Sequence, residues 1–516
     1  MLRRTALAAA ALIAAGALAL TACTAGGGGD STPTATGKPD PDASVAIRLV
    51  LEPGNLDIRQ TAGSALDQIL VDNIYQGIVA RTPEQDIVAS LASDWTVSPD
   101  GLTYTFTVRE GVTFHDGQPL TPQDVVWSLT AHKSTPGWVD ADVTDPTTGE
   151  IIGGALSHVS TIAADGQNVT LTLSEPDSSL LWNLTGRAGI ILKESDTVDY
   201  KTKANGTGPF VLKNWSQGDS ITFARNDAYW GDKAQVGEVV FDYIPDNQAA
   251  LNAVLANEVD VVTGFDANLK DQVEKSGDFS LVLGKSTDKG TLAFNQTTGP
   301  LADKRVRQAI RQAIDHDAFI EAMASGETLY GPIPSLDPGY RDLSEVAPYD
   351  PDAAKKLLKE AGEEDLELTL TIPNFYSTTI PQILVSDLNE VGITLEVNSV
   401  DFSTWLTDVY TNHDYELSFV LHTEARDFEN WADPDYYFTY DNPEVQSLYE
   451  KSLAATDEAK AADLLSQAAR IVSEDAGADW LYNGASVVAV GTNITGMPSI
   501  NVNERLDLAD IAKSNG

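Results

Sequence analysis

Polar and apolar residues alternate strictly through Thr103-Tyr104-Thr105-Phe106-Thr107-Val108. A period of two puts Tyr104, Phe106 and Val108 on one face, so this stretch reads as a half-buried strand. Pro99-Asp100-Gly101 just ahead of it is a turn, with proline presetting φ and glycine free to take a positive one. Residues 111–114 continue as a second short strand, His115-Asp116-Gly117 turns the chain, and Thr121-Pro122-Gln123-Asp124 opens a helix. That opening combines a capping hydroxyl, a proline at the first helical position and an early carboxylate. Val125, Val126 and Leu129 form the helix's buried side. Residues 95–129 thus encode a turn, a hairpin and a capped helix, which together make a scaffold.

The same two periods recur along the chain. Val45, Ile47 and Leu49 alternate in a strand over 44–50 that breaks at Glu52-Pro53-Gly54, and Ile69, Leu70, Ile74 and Ile78 are spaced for a helix over 67–79. Residues 140–154 are acidic and turn-rich, and 169–173 is a strand. Residues 239–244, 247–256 and 259–262 read strand, helix, strand, with Leu251, Val254 and Leu255 packing the helix. Strands at 291–295, 366–372, 393–397, 415–421 and 485–490 then alternate with helices at 306–314, 350–362, 383–391, 401–410 and within 445–474. This alternation is the mark of an α/β protein. A length of 516 residues exceeds one ordinary core, so two or three domains are expected.

The N-terminus changes the picture. Arg3 and Arg4 precede an alanine- and leucine-rich run, and Leu20-Thr21-Ala22-Cys23 follows it. Residues 1–22 have the form of a secretory signal peptide. Cys23, the single cysteine, cannot form an internal disulfide, and its setting resembles the bacterial lipobox, in which the thiol is acylated. Lipidation of Cys23 would anchor the chain to the cell membrane. Residues 23–43, rich in Gly, Ser, Thr and Pro, read as a flexible tether.

Charge and motifs exclude more than they select. With 33 basic against 76 acidic residues the chain lacks a basic footprint, so nucleic acid is not an expected partner. There is no G-x-S-x-G, H-E-x-x-H or C-x-x-C, and the histidines at 115, 132, 158, 316, 413 and 422 show no ligand-like helical spacing. No catalytic residue, cofactor or metal site is assigned. Gly206-Thr207-Gly208 is followed by proline and lacks the third glycine or lysine of a phosphate loop.

Several segments resemble one family. They are Ile74-Tyr75-Gln76-Gly77-Ile78, Leu91-Ala92-Ser93-Asp94-Trp95, residues 98–129, Gly206-Thr207-Gly208-Pro209-Phe210, Arg225-Asn226-Asp227-Ala228-Tyr229-Trp230, Leu255-Ala256-Asn257-Glu258-Val259-Asp260, Arg305-Val306-Arg307-Gln308-Ala309-Ile310 and 349–362. In this order they resemble the solute-binding proteins of bacterial peptide/nickel-type ABC importers, which include dipeptide- and oligopeptide-binding lipoproteins. The resemblance implies a two-lobed, type II periplasmic-binding-protein-like α/β fold that closes over its ligand. Lobe I would comprise 44–82, 205–296 and 484–516, with an inserted subdomain at 83–204; lobe II would be 297–483. It implies a monomeric receptor, not an enzyme, that hands a solute, most readily a short peptide, to permease subunits. Oligosaccharides and nickel chelates are alternative solutes, and a secreted lipoprotein hydrolase is the alternative of another class.

In peptide-binding relatives an aspartate ahead of an Asp-Pro pair in lobe II salt-bridges the ligand's α-amine. Here Asp433-Pro434 matches the pair; a gapless count puts the upstream position at Asn430, and a longer loop puts it at Asp427. Arg426 suits a ligand carboxylate, bidentately, or pairs within the protein. His422 is expected at a strand end facing the cleft, and Trp405 and Trp431 are candidate cleft walls. Trp95, Trp127, Trp215 and Trp230 are expected in the scaffold.

Overall fold

A computed structural model describes residues 38–61, 63–144, 151–152, 154–297, 299–502 and 505–515. Its spine is an eleven-stranded mixed sheet. One part has the order Phe210–Ser216, Ser220–Arg225, Glu238–Tyr243, Ser44–Leu49, Val261–Thr263. The other has Leu417–His422, Leu366–Pro373, Ile393–Val400. Two long antiparallel strands, Ala478–Gly491 and Phe279–Phe294, run through both parts.

The pairing shows how these long strands join two half-sheets. Val261–Thr263 pairs only with the Val488–Val490 end of one, whereas Leu417–His422 pairs with the Lys289–Phe294 end of the other. Between these ends the register slips: Lys285 faces Ala485, but Lys289 faces Asn483. The three residues Ser286, Thr287 and Asp288 thus oppose Gly484 alone, which is a bulge that bends and twists the ribbon. Asn483 fills the broken ladder, its Nδ2 donating to Ser286 O at 2.9 Å and Asp288 O at 3.0 Å.

Each half-sheet has its own apolar packing. Val45, Ile47, Phe223, Phe241 and Val490 lie in one cluster; Leu292, Ile310, Leu370, Leu384 and Phe419 lie in another. The βαβ unit expected around 239–262 forms with Ser44–Leu49 inserted between its two strands and parallel to both. A separate four-stranded antiparallel sheet, ordered Ala92–Val97, Thr103–Val108, Asn168–Leu173, Val159–Asp165, packs Phe106 and Leu171 with Val125 and Leu129 of helix Pro122–Ser134. Thr121 and Asp124 form the reciprocal cap that the sequence suggested.

Three expectations need correction. The helix over 67–79 is only Ser64–Leu70. Asp72 turns left-handed at φ 65°, and the Asn73 and Ile74 carbonyls lie where a Cβ on Gly208 or Gly206 would fall, at 2.4 and 1.9 Å. The Gly206-Thr207-Gly208 motif therefore serves close backbone packing. Residues 111–114 are not a strand but part of a tight loop, closed by Phe114 N to Gln118 O and Leu120 N to Val112 O. The expected helix over 401–410 is an α-turn, Phe402–Trp405, followed by a π-helical stretch, Leu406–Thr411. At the N-terminus, Pro39 bridges Ser514 and Asp40 N donates to Lys513 O, so the last residues of the stretch read as a tether are held on the body. Cys23 and the signal segment lie outside the described residues.

Candidate functional site

Parallel strands gather their carboxyl ends at one edge, and ligands of open α/β sheets bind there. In the first half-sheet Ser44–Leu49, Glu238–Tyr243 and Val261–Thr263 are parallel, and Thr263 ends opposite Val488. In the second, Leu366–Pro373, Ile393–Val400 and Leu417–His422 are parallel, and His422 ends opposite Lys289. Both sets therefore finish beside the bulge, one from each side. A cavity of about 210 Å³ lies there, lined by Val50, Thr263, Ser286, Asp288, Ser486 and Arg505 among others.

The loop after His422 supplies the charge. Asp427 is pulled inward, its side chain 11% exposed, and pairs with Lys289 Nζ at 3.2 Å. Lys289 follows the bulge directly and is buried; its ammonium also donates to Thr287 O at 3.2 Å and Glu424 O at 2.7 Å. Burial pushes the Asp427 carboxyl up to about 6, against the pull of Lys289. Asp337, also buried, accepts from Arg426 N at 2.6 Å, and burial raises its pKa too, opposed first by Lys289. That bond accompanies the left-handed φ of 58° at Arg426. The Arg426 guanidinium then lies 3.8 Å over the ring of Trp182, and Arg81 lies over the same ring at 4.6 Å.

Trp182 belongs to Leu180–Asn183, on the side of the four-stranded sheet. Next to it Ser178 N donates to Leu453 O at 2.8 Å and Ser178 Oγ to Ser452 O at 3.0 Å. Segments 178–182 and 426–453 thus touch directly. Trp182 was not singled out in the sequence. Glu175-Pro176-Asp177 announces a turn before it, but no local pattern shows that a residue 244 positions away will stack on it.

The remaining candidates separate. His422 ends its strand as expected but is 8% exposed, with Nε2 on Tyr437 Oη at 2.8 Å; burial lowers its pKa to about 3, so it is neutral. Trp405 and Trp431 are each 3% exposed. Trp405 Nε1 donates to Ser418 Oγ, and Trp431 stacks on Phe438 at 4.1 Å, so both are core residues and neither presents a wall. Asn430 sits in the short helix Glu429–Ala432 and its N–H bonds Asp427 O. Trp95, Trp127, Trp215 and Trp230 pack half-buried against the apolar clusters. Exposed apolar side chains come instead from Phe375, Phe402, Leu406 and Tyr410, in segments that follow the carboxyl ends of Leu366–Pro373 and Ile393–Val400.

His422, Glu424 and Asp427 bring possible metal-ligand atoms within 4.8 Å of one another. Lys289 Nζ already pairs with Asp427 and bonds the Glu424 main-chain carbonyl beside it, and Tyr437 engages His422 Nε2. The position is served by an ammonium.

A cavity beside a bulged ribbon that joins two α/β half-sheets is a place where a small solute can be held. Residues 86–446 match the model of the bacterial extracellular solute-binding proteins, family 5, and the chain belongs to that family. It is similar to the dipeptide-binding protein of Escherichia coli, 27% identical over 67% of this chain and 69% of that one. It is also similar to heme-binding protein A of Haemophilus influenzae, 25% identical over 78% and 80%. The solved periplasmic binding protein DppA of Helicobacter pylori, in complex with a peptide, superposes with a TM-score of 0.74 at 22% identity, covering 92% of this chain and 98% of that one. The chain is accordingly an extracytoplasmic solute-binding receptor of an ABC import system and not an enzyme. No helix among the described residues is long and apolar enough to cross a membrane.

Proposed function

We propose that this receptor captures short peptides between two lobes and delivers them to its permease from a lipid anchor at Cys23. Lobe I would be 44–82, 205–296 and 484–516 with the subdomain 83–204, and lobe II 297–483. The observation that carries the reading is that both sets of parallel carboxyl ends finish beside one bulged ribbon, with a cavity at the end of the first set and Arg426 in the loop that follows the second. Arg426 would take the ligand's carboxylate, and the shelf of Phe375, Phe402, Leu406 and Tyr410 would take apolar side chains. The named specificities of the dipeptide-binding and peptide-bound relatives favour the same class. Closure is driven by contacts made only in the closed state, and micromolar affinity, about −8 kcal/mol, suffices for capture and release. Thermal melts against di- to pentapeptides test the proposal. A rise in melting temperature with some of them is expected; no rise with any, alongside a rise with oligosaccharides or nickel–histidine chelates, would overturn it.

A further inference from the structure

We infer that the receptor reads an anionic group of its ligand at Arg426 and does not read a free α-amine at Asp427, because Lys289 is a built-in cation that occupies that carboxylate. The inference deepens the peptide reading above and rests on it.

An ammonium has three N–H donors. Those of Lys289 have three acceptors within reach: Thr287 O, Glu424 O and Asp427 Oδ1. The side chain is 3% exposed, and the strand that carries it is held by Leu417–His422 on one side and Ala478–Gly491 on the other. A ligand amine that displaced it would leave a lysine charge buried and unpaired, a loss worth roughly 100- to 1,000-fold in affinity. Of the other carboxylates near Asp427, Asp337 is buried and takes the Arg426 N–H, and Glu424, within 4.8 Å of Asp427, is exposed to solvent. The His422 Nε2 is already engaged by Tyr437.

Arg426 is in the opposite condition. Among the described residues it makes no ion pair within 4.0 Å, and its buried Nε has no hydrogen-bond partner. Its backbone is pinned by Asp337 and its guanidinium plane is set against Trp182. A preorganised cation with an unfilled donor at Nε, near Asp337 and Glu458 but in no ion pair with either, and beside a carboxylate that already has its cation, selects for a negative group.

The test uses the mature protein and one tripeptide pool, Ala-Xaa-Ala, in three forms: free, N-acetylated and C-amidated, compared by affinity selection and calorimetry. Acetylation is expected to change affinity by less than about threefold, and amidation to lower it by about thirtyfold or more. Arg426→Gln should abolish the discrimination against amides. Lys289→Met, which vacates Asp427, should create a preference of about tenfold or more for free over acetylated peptides. A wild-type loss of about thirtyfold or more on acetylation would overturn the inference, whether or not Lys289→Met folds. Binding of none of the three pools would overturn the peptide reading and this inference with it, an outcome distinct from a loss confined to the acetylated pool.

Discussion

Replacing Asn483 tests the bulge that joins the two half-sheets. Its amide nitrogen donates to Ser286 O and Asp288 O, and its Oδ1 accepts from Ser335 N and Ser335 Oγ, both at 3.3 Å. Its backbone pairs with Glu327 in both directions, and substitution of the side chain leaves that pairing intact. Two good amide-to-carbonyl bonds in a buried setting are worth about 1 kcal/mol each, and the two stranded carbonyls add desolvation, so Asn483→Ala should cost about 2–4 kcal/mol. Asn483→Asp keeps the shape but turns an oxygen toward both carbonyls, so it should cost more than alanine at pH 7 and less as the pH falls toward 4 and the carboxyl becomes a donor. Denaturant unfolding of the three proteins at the two pH values reads this directly. Equal stability of the alanine and aspartate variants, or a cost below about 0.5 kcal/mol for either, would refute the assignment of Asn483 as the group that completes the bulge.

Other substitutions probe separate parts of the account. Trp182→Ala removes the face under Arg426; losing a cation–π contact of about 1–2 kcal/mol should weaken ligand affinity about 5- to 30-fold, and scattering should show a more open unliganded form, whereas unchanged affinity would count against a role of this contact in binding. Arg311 and His316 both bond the fully buried Asp479, at 3.2 and 3.1 Å. Asp479→Ala should therefore cost about 3–5 kcal/mol, with Arg311→Met partly restoring stability in its presence; a loss under about 1 kcal/mol would contradict this. Burial lowers the His132 pKa to about 4 while its Nε2 bonds Ile190 O. The unfolded chain binds that proton first, so His132 contributes stability above about pH 6.5 that is lost as pH falls toward 4. The advantage of wild type over His132→Gln should shrink by on the order of 2–3 kcal/mol across that window, and a pH-independent difference would refute the neutral assignment.

How much of this was legible in the sequence depends on the range of the interactions. The strands at 103–108, 169–173 and 366–372 and the capped helices at Thr121 and Asp350 rest on local alternation and capping, and all of them form. The helix expected over 67–79 stops at Leu70 although Ile74 and Ile78 keep helical spacing, because the backbone at Asn73 and Ile74 packs against Gly208 and Gly206, more than 130 positions away. The long strands were seen only as 291–295 and 485–490, since the bulge at Ser286–Asp288 and Gly484 interrupts the alternation. At the candidate site His422, Arg426 and Asp427 were read together because they are close in the chain. Lys289, Asp337 and Trp182, which give those residues their partners, lie in three distant segments and carry no local mark. The two tryptophans were misjudged as cleft walls for the same reason, since Phe438 and Ser418 cover them only in three dimensions.

The most direct test of the central claim is mass spectrometry of the small molecules released on denaturing protein purified natively from its source. The account predicts stoichiometric short peptides that are absent from a preparation of the Arg426→Gln variant. Recovery of a sugar, a heme or a metal chelate in their place, at the same stoichiometry in both proteins, would contradict it.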